Sequence, residues 1–276
     1  MRDSILVTGS NGQLGTELRK LLPDAVFTDA AELDITDAGS VNDFVRKNQI
    51  ETIVNCAAYT AVDKAEDEEE LAYRINARGP ENLAKTGCRL VHISTDYVFN
   101  GESSIPYEPS HETAPLSAYG RTKLAGERLV LEHNSQAVII RTAWMYSRHG
   151  NNFVKTMRRL GENRDCVNVV NDQIGTPTFA GDLAAAIVAI IPQITEETAG
   201  IYHYTNEGVC SWYDFAYEIM AFSGYSCKVY PVSSAEYPTK AHRPSYSVLD
   251  RSLIKEVFKI EVPYWKESLK KCLSQF

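Results

Sequence analysis

The sequence predicts an α/β protein built on a doubly wound parallel sheet, with a smaller, mostly C-terminal α/β region. Three observations point there. Short apolar runs alternate with helix-period segments through the first half of the chain. Those runs are apolar at consecutive positions, as expected for strands buried on both faces of a parallel sheet. A glycine-rich stretch follows the first run and opens the first helical segment, a junction typical of βαβ units.

Ile5-Leu6-Val7 reads as the first strand, and the segment from Gln13 to Leu22 as the first helix. Ala25-Val26-Phe27 is the second strand. Thr36 or Asp37 caps a helix running to about Asn48. Thr52-Ile53-Val54 is the third strand, followed by a polar helix from Asp63 to Arg74 and another near Glu81 to Lys85. Leu90-Val91-His92-Ile93 is the fourth strand, and Val138-Ile139-Ile140 the fifth. Between them a helix carries Tyr119 and Lys123 and ends near Leu131. From Asn100 to Ala118 the pattern breaks, with Pro106, Pro109 and Pro115 among polar residues. An irregular stretch this long inside a compact domain is usually functional or disordered, and this one is expected to wall the site. Later come a helix from Phe153 to Gly161, a strand from Val167 to Val170, a helix from Phe179 to Ile191 and a strand from Ile201 to Tyr204. Beyond Ser211 the pattern is that of a smaller α/β region with two terminal helices.

The formal net charge is −8 and the sequence pI about 5.3, which argues against nucleic acid or an anionic membrane as partner, since both need basic surface. The six cysteines form no C-x-x-C pair and read as reduced thiols in a cytoplasmic protein. A strand beginning at Ile5 leaves no room for a signal peptide. The longest apolar stretch, Leu183 to Ile191, is too short to span a bilayer. No two histidines show metal-ligand spacing, so no metal site is expected. The acidic run from Glu66 to Glu70 reads as a solvated helix face.

Gly9, Gly12 and Gly15 space the loop after the first strand, with Asn11, Gln13 and Leu14 between them. Glycines there allow a tight turn, backbone approach to a pyrophosphate and close helix–strand packing, with the phosphates at the helix N-terminus. This is a Rossmann-like arrangement. Asp29 ends the second strand, where an acid accepts ribose hydroxyls and disfavours a 2′-phosphate. That leans toward NADH and leaves NADPH open. Asp34 and Ile35 either contact the adenine or begin the next helix. After the third strand, Ala57, Ala58 and Tyr59 would let a dinucleotide lie close to the backbone.

Tyr119 and Lys123 are four residues apart and share a helix face. An ammonium beside a phenol is expected to lower the tyrosine pKa toward a useful range. Thr95, in Ser94-Thr95-Asp96-Tyr97-Val98-Phe99, offers a hydroxyl to the same substrate oxygen.

These motifs identify the chain as resembling the extended short-chain dehydrogenases/reductases. Further segments resemble the dTDP-4-dehydrorhamnose reductases: Asn55 to Glu66, Ser94 to Phe99, Tyr119 to Glu127, Arg141 to Tyr146, Gly150 to Met157, and Asn171 to Thr178, ending with Arg243-Pro244-Ser245. The resemblance implies reduction of the 4-keto group of dTDP-4-dehydro-L-rhamnose by NADH or NADPH. It implies Thr95, Tyr119 and Lys123 as the catalytic trio, with Tyr119 and Lys123 also on the cofactor. It implies a sugar pocket at Thr60, Val62, Thr95 and Trp144, and a nucleotide end at Asn152, Phe153, Gln173 and Arg243. Trp144 is alternatively a core aromatic and Arg243 a surface arginine. Residues 1–145 and 172–207 are expected to form the dinucleotide-binding domain, and 146–171 with 208–276 the substrate domain.

Some similar proteins form metal-bridged dimers through acidic residues, one near the C-terminus. This chain ends Lys270-Lys271-Cys272-Leu273-Ser274-Gln275-Phe276, with no acidic side chain, and Glu17 alone makes no metal site. A monomer or weak homodimer is therefore expected. The alternatives are a reductase or epimerase of another nucleotide keto-sugar, or a non-catalytic subunit similar to the regulatory β-subunit of methionine adenosyltransferase.

Overall fold

The computed structural model describes residues 4–276. In chain order it begins β1 (Ile5–Thr8), α1 (Gln13–Leu21), β2 (Val26–Thr28), α2 (Ala38–Lys47), β3 (Thr52–Asn55), α3 (Val62–Ala65), α4 (Glu69–Tyr73), α5 (Gly79–Ala84) and β4 (Arg89–Thr95). It continues α6 (Ala118–His133), β5 (Ala137–Thr142), β6 (Met145–Tyr146), α7 (Phe153–Asn163), β7 (Cys166–Val170), β8 (Ile174–Gly175), β9 (Thr178–Phe179), α8 (Ala180–Ile190) and β10 (Gly200–His203). Last come β11 (Cys210–Ser211), α9 (Trp212–Ser223), β12 (Lys228–Val232), α10 (Ser252–Phe258) and α11 (Trp265–Leu273).

Six strands form one sheet in the order β10-β5-β4-β3-β1-β2, every pairing parallel. Consecutive residues explain the doubly buried strands. Val7, Val54, Val91 and Val138 face a core closed by α1, α8 and α10. Their neighbours Leu6, Ile53, Leu90 and Ile139 face a second core under α2, α5 and α6. Each such fully buried side chain is worth about 1.5–3 kcal/mol relative to exposure. The strand order reverses at β1, with β2 on one side and β3 on the other. Ligands bind open α/β sheets at such a switch point, beyond the strand C-termini.

A further core gathers Tyr146, Val154, Phe215, Ile219, Trp265 and Leu269 from β6, α7, α9 and α11. The helix α10 lies beyond residue 208, yet its Ile254 and Phe258 pack on the core of the large sheet. The pairs β7–β12, β8–β11 and β6–β9 build small two-stranded sheets around that further core.

The expected caps and strands are present; Asp37 rather than Thr36 caps α2, accepting from the Gly39 and Ser40 amides at 2.9 and 3.1 Å. Two expectations are corrected. The helix from Asp63 to Arg74 is divided into α3 and α4, and α4 runs through a π-helical turn, Arg74–Arg78, into α5. Pro80 explains the turn: it has no N–H for the Asn76 carbonyl and its ring would clash with it. The loop from Asn100 to Ala118 does not line the switch-point cleft; its Asn100, Leu116 and Ser117 line a small pocket with Tyr97 instead. Tyr107 ties it elsewhere, stacking on Phe99 at 4.2 Å and pairing with the backbone of Val248 and Asp250 at 2.8 and 2.7 Å.

Candidate active site

A cleft of about 670 Å³ lies at the switch point, lined by the loops after β1, β2 and β3. The three glycines of the first loop do different things. Gly9 has φ +65°, and a Cβ there would fall 2.6 Å from the Ala57 amide nitrogen. A Cβ on Gly15 would fall 2.5 Å from the Ser10 Cα. Gly12 is the open one, where a Cβ meets only the Gly9 carbonyl oxygen, at 3.2 Å. Gly12 is also the N-cap of α1 and offers no side chain to its first amides. A cradle that a Cβ would narrow, at an uncapped helix N-terminus, fits a dinucleotide pyrophosphate.

Gly9, Gly12, Gln13, Leu14, Gly15, Asp29, Asp34, Ile35, Ala57 and Ala58 all line this cleft. Asn11 contributes its backbone N–H, which donates to Asp29 Oδ2 at 2.7 Å. Ser10 Oγ donates to the same oxygen at 3.0 Å and accepts from Arg19 Nη2 at 3.1 Å. Asp29 is thus linked through one hydroxyl to a guanidinium. Asp34 Oδ1 accepts from the amide and hydroxyl of Thr36 at 2.9 and 2.8 Å. Ile35 packs against Gly79, where a Cβ would overlap it. Tyr59 does not line the cleft: its ring packs among Ala65, Ala72 and Ala118, its hydroxyl bonds Glu68, and its amide donates to Asn76 Oδ1 at 2.8 Å.

Thr95 ends β4, and Tyr119 and Lys123 lie in the opening turns of α6. Ser117 caps that helix, accepting from the Gly120 amide at 3.1 Å. Any Cβ on Gly120 would overlap the Tyr97 carbonyl, so glycine lets the helix start press onto the turn after β4. That contact brings Tyr119 beside Thr95, close enough for the hydroxyl to act on the phenol. Thr95 Oγ1 also lies 3.0 Å from Asp96 Oδ1 and accepts from the Tyr97 amide at 3.2 Å. The Tyr97 and Tyr119 rings meet edge to face at 5.5 Å.

The expected lowering of the Tyr119 pKa by Lys123 is not what this geometry produces. Burial raises the Tyr119 phenol well above its usual range, more than the neighbouring Thr95 hydroxyl lowers it, and Asp96 and Tyr97 add to the rise. Lys123 instead donates from Nζ to the Ile93 carbonyl at 2.5 Å. Burial draws its pKa down to about 8, against the opposing pull of Glu127 and Cys56. Burial also raises the Asp96 carboxyl to about 6. Tyr119 is therefore protonated at neutral pH, the state a proton donor needs.

The residues expected at the sugar and nucleotide end fall into separate groups. Thr60 lines the cleft. Val62 opens α3, next to Asp63, which pairs with Arg243 Nη2 at 3.0 Å and accepts from the Ala241 amide at 3.0 Å. The Arg243 charge also opposes the rise that burial imposes on the Tyr97 phenol. Trp144 and Phe153 meet around Trp212. Asn152 is taken up by the protein: it caps α7, and its Nδ2 donates to Gln13 Oε1 at 2.9 Å and the Ser147 carbonyl at 2.8 Å. Gln173 Nε2 donates to Ser234 Oγ at 2.9 Å.

The acidic run is not a plain solvated face. Glu69 holds Arg121 through two bonds of 2.9 and 2.8 Å, Glu66 accepts from the Ala118 amide at 2.8 Å, and Asp67 pairs with Lys240. Glu66 and Glu69 thus fasten the start of α6, hence Tyr119, from the side, and Asp67 ties down the segment at Lys240. The sequence reading also missed Arg74, the one cation among the described residues lining the cleft, and Gly150 and Asn151, which reach it from the segment before α7. Gly150 has φ +63°, and its Gly-Asn-Asn composition is the one local signal of a tight turn.

Comparison with known proteins gives the family. The family model described as RmlD substrate binding domain matches residues 1–276. A dTDP-4-dehydrorhamnose reductase of Aggregatibacter actinomycetemcomitans is 43% identical, over 96% of this chain and 97% of its own. A solved dTDP-4-dehydrorhamnose reductase from Clostridium acetobutylicum is 46% identical with a TM-score of 0.94, covering 99% of each chain. Another, from Bacillus anthracis and in complex with NADP, is 40% identical with a TM-score of 0.95, covering 100% of each. With its switch-point cleft, three-glycine cradle and Thr95–Tyr119 contact, the chain belongs to the dTDP-4-dehydrorhamnose reductase family.

Proposed function

We propose that this chain reduces the 4-keto group of dTDP-4-dehydro-L-rhamnose to give dTDP-L-rhamnose, using NADH or NADPH. The observation that carries the reading is the placing of a protonated Tyr119 beside Thr95, at the end of the strand whose Ile93 lines the glycine-cradled cleft. When bound, the nicotinamide cofactor supplies the hydride. Tyr119 gives its hydroxyl proton to the keto oxygen as that oxygen gains charge. Thr95 offers the same oxygen a hydrogen bond that strengthens as the charge grows. Lys123, held by the carbonyl of Ile93, which lines the cleft, is the residue we assign to the cofactor ribose. Gly9, Gly12 and Gly15 seat the pyrophosphate, and Asp29 receives the adenosine ribose.

Trp144, Phe153, Thr60, Val62 and Arg243 are the residues we assign to the sugar nucleotide. Asn152 and Gln173, expected at the nucleotide end, are each held by a protein partner, Gln13 and Ser234. Residues 1–145 with 172–207 are proposed as the dinucleotide-binding domain and 146–171 with 208–276 as the substrate domain, with Trp144, Thr60 and Val62 reaching the sugar from the former and α10 packed on the large sheet. A cytoplasmic monomer or weak homodimer completes the proposal. The relatives, named as reductases, favour an enzyme over a regulatory subunit. The test is product identification after incubation with NADPH and dTDP-4-dehydro-L-rhamnose. Formation of dTDP-L-rhamnose supports the reading; an epimerised keto-sugar with no cofactor consumed would replace it with the epimerase.

A further inference from the structure

Trp144 has φ +48°, a left-handed backbone that a bulky side chain adopts only where its surroundings over-determine it. Its indole stacks on that of Trp212, ring centroids 3.7 Å apart and planes within 13°. Trp212 is in turn packed on its other neighbour, Phe153, at 4.6 Å. The position of Trp212 is itself fixed, because it is the first residue of α9 behind a reciprocal capping box. Ser211 Oγ accepts from the Asp214 amide at 3.0 Å, and Asp214 Oδ2 accepts from the Ser211 amide at 2.9 Å. On the edge of the Trp144 ring, Gly175 is bare, and a Cβ there would fall 2.8 Å from the indole. Behind it, the Thr178 amide donates to the Trp144 carbonyl at 3.3 Å.

We propose that Trp212 is a positioning residue for sugar recognition: it holds the Trp144 indole in its strained pose, so that a flat apolar face is ready for the C–H groups and methyl of a deoxyhexose. This rests on the reading of Trp144 as a wall of the sugar pocket. A preformed aromatic face lowers the ordering cost of binding, so the stack acts on sugar-nucleotide affinity and leaves the hydride and proton transfers alone.

The test compares Trp212→Ala, Trp212→Phe and Trp144→Ala by steady-state kinetics with dTDP-4-dehydro-L-rhamnose, NADPH binding and far-ultraviolet circular dichroism. The circular dichroism spectra check that each variant keeps the wild-type secondary structure. Trp212→Ala is expected to raise KM for the sugar nucleotide about tenfold, with kcat and NADPH affinity held. Trp212→Phe keeps a stacking ring and is expected to recover most of that loss. A Trp212→Ala enzyme with an unchanged KM overturns the proposal, as does one whose kcat, NADPH affinity and KM all worsen together. If Trp144→Ala also leaves KM unchanged, the reading of the sugar pocket fails with it. If Trp144→Ala raises KM and Trp212→Ala does not, the positioning role alone fails.

Discussion

Lys123 and Ile93 are joined by a hydrogen bond of 2.5 Å, from the ammonium to a backbone carbonyl on the strand that floors the cofactor cleft. The ammonium is buried, and its pKa falls from the ordinary 10.5 to about 8. Between those two values the unfolded chain holds the proton and the folded chain has released it. Stability contributed by this group therefore rises with pH through that window, and is least below about pH 8, where the charge is buried. Activity should move the other way. The limb of kcat/KM on the alkaline side should fall with an apparent pKa near 8. Lys123→Met should lack that limb, lose turnover by about 10²-fold or more, and melt no lower than wild type.

Tyr119→Phe removes the proton donor and little else. The Tyr97 edge contact survives in a phenylalanine ring. Turnover should drop by about 10²–10⁴-fold, while NADPH affinity measured by fluorescence titration stays within about twofold of wild type. A variant near wild-type turnover would mean that another group protonates the product.

The glycines separate binding from folding. Gly15→Ala places a methyl 2.5 Å from the Ser10 Cα, against backbone that cannot yield cheaply. It should lower the melting temperature by several degrees, a loss of about 1–3 kcal/mol. Gly12→Ala meets only the Gly9 carbonyl, at 3.2 Å. It should fold nearly normally and weaken NADPH binding, as calorimetric titration would show. Equal effects from the two substitutions would remove the pyrophosphate role from Gly12.

Glu127 and Arg141 form a buried bidentate pair, with bonds of 2.9 and 2.7 Å, and Ser94 donates to the same carboxylate. Both side chains are almost wholly shielded from water. Glu127→Ala would leave an uncompensated guanidinium in the core and should cost about 3–5 kcal/mol in a urea unfolding titration. An exposed ion pair removed in the same way, such as Arg46 with Asp43, should cost no more than about 1 kcal/mol.

The sheet was legible because its strands carry apolar residues at consecutive positions, and Leu6-Val7 or Ile53-Val54 can be satisfied only by burial on both faces. The cradle was legible because Gly9, Gly12 and Gly15 are local in the chain and each has its own steric reason. The far side of the site was not. Asn152 looked like a substrate ligand, and its partner Gln13 lies 139 residues away. Tyr59 followed the right strand but turned its hydroxyl to Glu68. The pKa of Tyr119 depends on how deeply α6 is pressed against β4, which a four-residue spacing from Lys123 does not reveal. Trp212 went unnoticed because its meaning comes only from the face it shows to Trp144.

The central claim is reduction of a sugar nucleotide at Tyr119, and a coupled assay with purified protein, run in parallel with NADH and NADPH, tests it most directly. The account predicts oxidation of at least one cofactor, in step with dTDP-L-rhamnose formation, only when dTDP-4-dehydro-L-rhamnose is supplied. That oxidation should fall to near background in Tyr119→Phe. Folded protein that binds NADPH and yet oxidises neither cofactor above background with this sugar would contradict it.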